Sequence, residues 1–419
     1  MKELFQAIST EYSIYKDKRF RYVLAANIAS SIGLGITMIA IPWFLVSSPD
    51  GNTTLGYITL LMTIFNFALT PLIGGLIDKF PRKKLLIAGE LVGLLIVVIF
   101  SCYGFMGNIY ELRHYIVLFV TGSLYYTIFY PTMFAFTQEY FNKQYYKSLN
   151  GAMEVQGQIA SMVAGGIAGA MIMTVPLQWI LLLNAMTYMI AILFFIKVKS
   201  ERKETVSKIK KRENMKTGFV YMLKHPKIFY FLIFATFPFI GVMITNYLFP
   251  VYLQQVLHAD VWVYGLEGMI YSLGAVCAGL FVPFIAKKIG NEKTMVYGVL
   301  CYAAAVSLII FVDIPLYLSL MFFLALGNAG SRVARQTFMM EHIPNEYMGR
   351  VDSVIRFIGL FIRIILLMLF TKLISVQAVI LCFGILSVLL WIAAISVYIL
   401  SKKGLFWTKE THIMRLSQE

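Results

Sequence analysis

The sequence predicts an all-α integral membrane protein whose twelve transmembrane helices form two pseudo-symmetric six-helix bundles. Three observations carry that expectation: an apolar composition, a one-sided distribution of Lys and Arg, and a short internal repeat. Apolar residues fill 59% of the 419 positions and charged residues only 14%, whereas soluble domains are roughly half apolar and about one quarter charged. A hydrocarbon core about 30 Å thick takes roughly 20 apolar residues per helical span, and such stretches run almost end to end. They place spans at 19–47, 54–77, 84–107, 113–137, 149–174, 177–196, 228–256, 263–288, 294–312, 315–340, 351–374 and 377–400.

A formal charge of +15 raises the question of a nucleic-acid partner, and the placement of the charge answers it. About 30 of the 36 Lys and Arg fall in the N-terminal segment, the even-numbered connectors or the C-terminal tail, while the odd-numbered connectors carry almost none. Positive residues gather on the cytoplasmic side of membrane proteins, so this chain is expected in the cell membrane as a multi-pass protein with both termini in the cytoplasm. No nucleic acid is expected to bind. Met1 to Lys18 mixes charges of both signs and has no apolar run ending in a small-residue cleavage site, so no removable signal peptide is expected. Cys102, Cys277, Cys301 and Cys382 stand singly in apolar spans, without metal or redox spacing; they read as packing residues, with no metal or cofactor.

Between Lys197 and Lys227 the chain turns basic, with eleven Lys or Arg against three Glu. The expected organisation is therefore an N-terminal six-helix half at 1–196, a basic cytoplasmic linker at 197–227, a C-terminal half at 228–400 and a cytoplasmic tail at 401–419. An internal match supports duplication: FTQEYFNKQY from Phe136 aligns with FMMEHIPNEY from Phe338, pairing Glu139 with Glu341 and Tyr145 with Tyr347 at a constant offset of 202. The same offset pairs Glu154 with Arg356. Transporters built from repeats bind cargo between them near the midplane and rock one half against the other.

The connector after span two reads GGLIDKFPRKK from Gly74, and here the chain resembles the major facilitator superfamily. Gly74, Leu76, Asp78, Lys79, Arg82 and Lys83 follow the family's loop signature, with Pro81 where a second Gly is usual. A Gly allows close helix approach, and an Asp can sit at the positive N-terminus of a neighbouring helix. The resemblance implies that Asp78 latches the cytoplasmic side against span eleven, near Gly349, Arg350 and Val351. A second stretch, GNAGSRVARQTFMMEHIPNEYMGRV from Gly327, resembles the macrolide-efflux-like exporters, as do Leu248, Phe249 and Pro250, Tyr264, Gly265 and Leu266, and Asn184 with Ala185. Two departures weaken the usual drug-exporter arrangement of proton antiport: no Arg lies between Thr121 and Phe136, and the span-five antiporter signature survives only as AGGIAG from Ala164, without its Pro.

Ionisable residues inside spans carry the clue to the cargo, because an Arg at a helix centre costs about 2.5 to 3.5 kcal/mol on insertion scales. Arg332 and Arg335 share one face of span ten, and Arg356 and Arg363 one face of span eleven. Arg335 and Arg356 lie close enough to the cytoplasmic end to snorkel. Arg363, about twelve residues into its span and roughly 18 Å deep, is expected to face protein or water. Guanidinium groups suit carboxylates bidentately, so the sequence points to an anionic polycarboxylate cargo, with a structural ion pair at Arg363 as the plainer reading. Length, a Lys- and Ile-rich composition and this Arg set resemble the carboxylate-siderophore exporters of Gram-positive bacteria, of the staphyloferrin B type, which implies export of a citrate-based siderophore. The resemblance places spans one, four, seven and ten around the cavity, with Asn27, Tyr126, Tyr130, Asn246, Asn328 and Arg332 as candidate contacts.

Glu90 in span three and Glu154 in span five are the intramembrane acids of the N-terminal half, and an acid that loads a proton on one side and releases it on the other couples transport to a proton gradient. A cytoplasmic gate pair between Glu154 and Arg356 is the competing role. Two other functions stay open: efflux of lipophilic drugs, which wants buried acids and aromatics, and a membrane-embedded enzyme or sensor. The five His are scattered and the outer connectors short, which disfavours an enzyme. The expected partners are thus a small anionic substrate, protons and the bilayer, with the chain acting as a monomer.

Overall fold

The computed structural model describes residues 14–141, 145–198 and 215–402. Its helices are α1 Lys18–Val46, α2 Gly51–Lys79, α3 Arg82–Phe105, α4 Leu112–Tyr140, α5 Tyr146–Thr174, α6 Leu177–Lys197, α7 Met215–Lys224, α8 Pro226–Phe234, α9 Phe237–Gln255, α10 Val261–Ile289, α11 Asn291–Leu308, α12 Ile314–His342, α13 Asn345–Ser375 and α14 Val379–Lys402. Among the described residues, twelve segments are long and apolar enough to cross a membrane, the seventh running Pro226–Gln255 through α8 and α9.

Local chemistry sets these boundaries. Pro81, Pro176 and Pro344 stand immediately before α3, α6 and α13, where the missing N–H costs nothing because the first turn has no acceptor for it. Asp17 caps α1 by accepting from the Arg19 backbone N–H at 2.8 Å and pairs with its guanidinium at 2.9 Å. Burial opposes the charge on Asp17, but the bonds from Arg19 outweigh it and hold the carboxyl below its usual range. The seventh span was expected to be continuous; it breaks at Ala235–Thr236 instead. Pro238, at the start of α9, has no N–H for the turn before it and its ring disfavours helical backbone at Phe237.

The burial pattern is that of helices dissolved in lipid. Along α3 the buried stripe is Leu86, Glu90, Gly93, Val97, Ser101 and Gly104, at helical spacing, while Leu95 and Ile99 on the opposite face are 60% and 63% exposed. Polar and small residues face neighbouring helices and large apolar ones face outward, the arrangement expected where the solvent is hydrocarbon.

The chain divides into two compact units, residues 1–205 with 259–269, and residues 206–258 with 270–419. In the first, α1 packs on α5 and α6, and α3 on α4 and α6. Gly33 permits the α1–α6 approach, since a Cβ there would lie 1.8 Å from Thr187 Oγ1. Residues 259–269 join this unit through α5: a Cβ on Gly165 would lie 2.7 Å from the Gly265 carbonyl oxygen, and Trp43 stacks on Tyr264 with centroids 5.8 Å apart. In the second unit α11 lies along α12 and α14, and α7 along α13.

The two units repeat one contact at equivalent places. Arg82, the first residue of α3, donates to Glu139 near the end of α4 at 3.1 Å, and Asn291, the first residue of α11, donates to Glu341 near the end of α12 at 3.0 Å. Glu139 and Glu341 are the acids paired by the sequence repeat, so the duplication is visible in contacts as well as letters.

Candidate functional site

Each unit buries its own polar cluster. In the first, Glu90 on α3 has 0% exposure, an expensive place for a carboxyl unless its oxygens are satisfied. Ser30 on α1 brings its hydroxyl to 3.0 and 3.1 Å from the two carboxyl oxygens. Tyr125 on α4 donates its phenol to Glu90 Oε1 at 2.6 Å, and the Ser30 and Tyr125 hydroxyls are 2.5 Å apart. The Tyr125 ring lies 5.7 Å from that of Tyr188 on α6.

One turn before Ser30, Asn27 donates its amide to Gln156 Oε1 on α5 and to Met153 Sδ at 3.3 Å. Gln156 is itself buried, and its amide nitrogen has no hydrogen-bond partner. The polar surface thus runs from α3 through α1 to α5. Tyr126 and Tyr130 stack with centroids 5.5 Å apart, Tyr126 half-buried and Tyr130 exposed. Behind Tyr125, between α3 and α4, opens an apolar cavity of about 320 Å³ lined by residues that include Gly89, Val92, Ile128 and Phe129.

The second unit's cluster is built on Arg. Arg335 on α12 donates to Thr236 Oγ1 at 2.5 Å, in the gap that Pro238 opens between α8 and α9. Arg335 also lies within electrostatic reach of Arg332, Arg356 and Asp352. Asn328, one turn before Arg332 on α12, donates to the Tyr271 hydroxyl at 2.9 Å, and Tyr271 feels the charge of Arg332. The Asn328 side-chain oxygen and the Arg363 Nε are buried without hydrogen-bond partners. Arg356 is mostly exposed and pairs with Asp352 one turn earlier at 2.6 Å. Among the described residues no ion pair reaches Arg335 or Arg363.

Of the expected contacts, the structure brings together Asn328, Arg332 and Arg335, while Asn246 is exposed. The side chains of Gly74, Asp78, Glu154 and Gly349 lie outside the described residues, and with them the Asp78 latch and the Glu154–Arg356 gate; the described partner of Arg356 is Asp352. In the loop signature Lys79 lies 5.7 Å over the Phe80 ring, and Lys83 donates to the carbonyls of Ile196 and Val198 at 3.0 and 2.7 Å, tying α3 to the end of α6. Arg350 lies 5.8 Å over Tyr347. Sequence reasoning missed Ser30, Tyr125, Gln156, Thr236, Tyr271 and Asp352. Only Asp352 carried a local signal, its i, i+4 spacing to Arg356.

Twelve apolar spans among the described residues, several of them burying polar side chains against neighbouring helices, define a multi-pass membrane protein. The chain belongs to the major facilitator superfamily, whose members are membrane transporters and not enzymes: residues 23–366 match the description Major Facilitator Superfamily. It is 24% identical over 366 residues, 83% of each chain, to an uncharacterised MFS-type transporter, YvqJ, of Bacillus subtilis (strain 168). Solved structures with the same fold include a bacterial homologue of the iron transporter ferroportin in an inward-facing state, with TM-score 0.72 and 13% identity over 92% of this chain and 99% of that one. The nucleoside transporter NupG matches with TM-score 0.70 and 12% identity, again over 92% of this chain and 99% of that one.

Proposed function

We propose that this transporter is a proton-coupled secondary exporter that works by alternating access and moves an anionic polycarboxylate, such as a citrate-based siderophore, out of the cell. The observation that carries the reading is Arg363, whose Nε is buried with no partner. A buried guanidinium nitrogen without a partner is costly, and with Arg335, which no ion pair reaches among the described residues, it gives the second unit positive charge that a carboxylate can bind bidentately. Asp352 offsets part of that charge, and it is already engaged with Arg356. Glu90 in the first unit supplies the acid for coupling. Positive-inside topology supports cytoplasmic termini in the cell membrane, with halves 1–196 and 228–400 moving about the basic linker at 197–227.

Uptake of labelled citrate and related polycarboxylates into everted vesicles, with and without an imposed pH gradient, tests this. Gradient-dependent accumulation of the polycarboxylate is the expected result; accumulation of lipophilic cations alone would sink it. Efflux of lipophilic compounds is the second reading, and the apolar cavity beside Tyr125 and Phe129, with Glu90 behind it, favours it.

A further inference from the structure

We infer that Glu90, Ser30 and Tyr125 form a closed ring of hydrogen bonds that holds the coupled proton on Glu90 and joins its release to a separation of α1 from α3 and α4. The inference deepens the coupling step of the exporter reading and rests on it. The ring is a matter of counting protons. Three oxygens, Glu90 Oε1, Ser30 Oγ and Tyr125 Oη, lie within 2.5 to 3.0 Å of one another, all inside the O–H···O range. A serine and a tyrosine bring one hydroxyl proton each. With Glu90 ionised, two protons must serve three pairs of side chains, and one pair of oxygens faces each other lone pair to lone pair at a carboxyl with 0% exposure. With one proton added on Glu90 Oε2, every pair of side chains is bridged, and of the four oxygen–oxygen approaches only Ser30 Oγ to Glu90 Oε1, at 3.0 Å, carries no proton. Glu90 donates to Ser30 across 3.1 Å, Ser30 donates to Tyr125 across 2.5 Å, and Tyr125 donates to Glu90 Oε1 across 2.6 Å. Each side chain donates once and accepts once, and the ring closes.

The surroundings agree with a neutral acid. The groups that face Glu90 are Ser30 from α1, Tyr125 from α4 and Tyr188 from α6, the last within electrostatic reach of the carboxyl. None is basic, and no ion pair to Glu90 exists among the described residues. The ring spans three helices, so it cannot survive a displacement of α1. Asn27, one turn from Ser30, ties the same stretch of α1 to Gln156 on α5, so a shift of α1 that opens the ring is felt at α5 as well. Opening leaves Glu90 without its acceptor, and the carboxylic acid gives its proton to entering water; closing takes one proton back. Ser30 and Tyr125 are positioning residues in this scheme, acting through the carboxyl.

Infrared difference spectra of the purified, reconstituted protein, wild type minus Glu90→Gln at neutral pH, read this directly. The expected signal is the carbonyl stretch of a neutral carboxylic acid that responds to deuteration. It shifts to higher frequency in Tyr125→Phe, which removes the bond to the carbonyl oxygen, and changes again in Ser30→Ala, so that one variant suffices if the other misfolds. A difference spectrum holding only ionised-carboxylate bands, or a neutral band that neither variant moves, overturns the ring. No cargo enters this measurement. A neutral, hydrogen-bond-sensitive Glu90 in a protein that moves no polycarboxylate therefore sinks the exporter reading and keeps the ring, whereas an ionised Glu90 in a protein that does move it sinks the ring alone.

Discussion

The first unit buries an acid among neutral hydroxyls, and the second holds two half-buried guanidinium groups, Arg335 and Arg363, that no acid pairs among the described residues. Glu90 is satisfied by neighbours on two other helices of its own unit. Arg363 is left with an open donor, and Arg335 with a neutral threonine as its described hydrogen-bond partner. The same asymmetry shows at the repeated contact near the helix ends, a salt bridge between Arg82 and Glu139 in one unit and an uncharged donor on Glu341 in the other. A duplicated scaffold has thus diverged in charge: one copy surrounds a buried carboxyl with hydroxyls, and in the other no ion pair reaches Arg335 or Arg363 among the described residues. Division of labour between the copies follows from side chains, with the helical frame held in common.

Substitutions at five positions test that contrast. The largest effect is expected from Arg363→Ala, which removes a charge-assisted bond of about 1.5 to 3 kcal/mol and should cut polycarboxylate uptake by about 10- to 100-fold, with Arg363→Lys retaining part of it. Normal uptake by Arg363→Ala would strip the second unit of its central residue. Glu90→Gln should abolish the response of uptake to an imposed pH gradient while leaving exchange of cargo down its own gradient; an unchanged gradient response would remove Glu90 from coupling. Gly33→Ala, whose new Cβ meets Thr187, should cost about 1 to 3 kcal/mol by overpacking, read as a lower midpoint of thermal unfolding. The smallest change is the reciprocal exchange at the repeated contact: Arg82→Asn should lose, and Asn291→Arg gain, up to about 1 kcal/mol, because pairs this near the surface are screened. Opposite signs in the two variants would confirm that the contacts are equivalent.

The spans were legible because lipid demands long apolar helices, whereas the prolines that mark the starts of α3, α6 and α13 were not used, and span eleven was begun at 351, six residues after the first residue of α13. The break at Ala235–Thr236 was equally written in Pro238, but a continuous apolar run masked it. Intramembrane charge marked Glu90, Arg332, Arg335 and Arg363 as special without saying what they touch. Glu90 meets Ser30 and Tyr125 across 60 and 35 residues, and Arg335 meets Thr236 across 99. Such contacts depend on the rotation of each helix about its axis within the bundle, and a helix buried among others has too weak an apolar periodicity to fix it. The Asp352–Arg356 pair was local and so could have been read from spacing alone.

The central claim, that the buried guanidinium groups of the second unit take a polycarboxylate, is tested most directly by equilibrium binding of labelled citrate to the purified protein. Saturable binding is expected, displaced by unlabelled tricarboxylates, left in place by a lipophilic cation and weakened about tenfold or more in Arg363→Ala. Displacement by the cation, or unchanged citrate binding in Arg363→Ala, would contradict it.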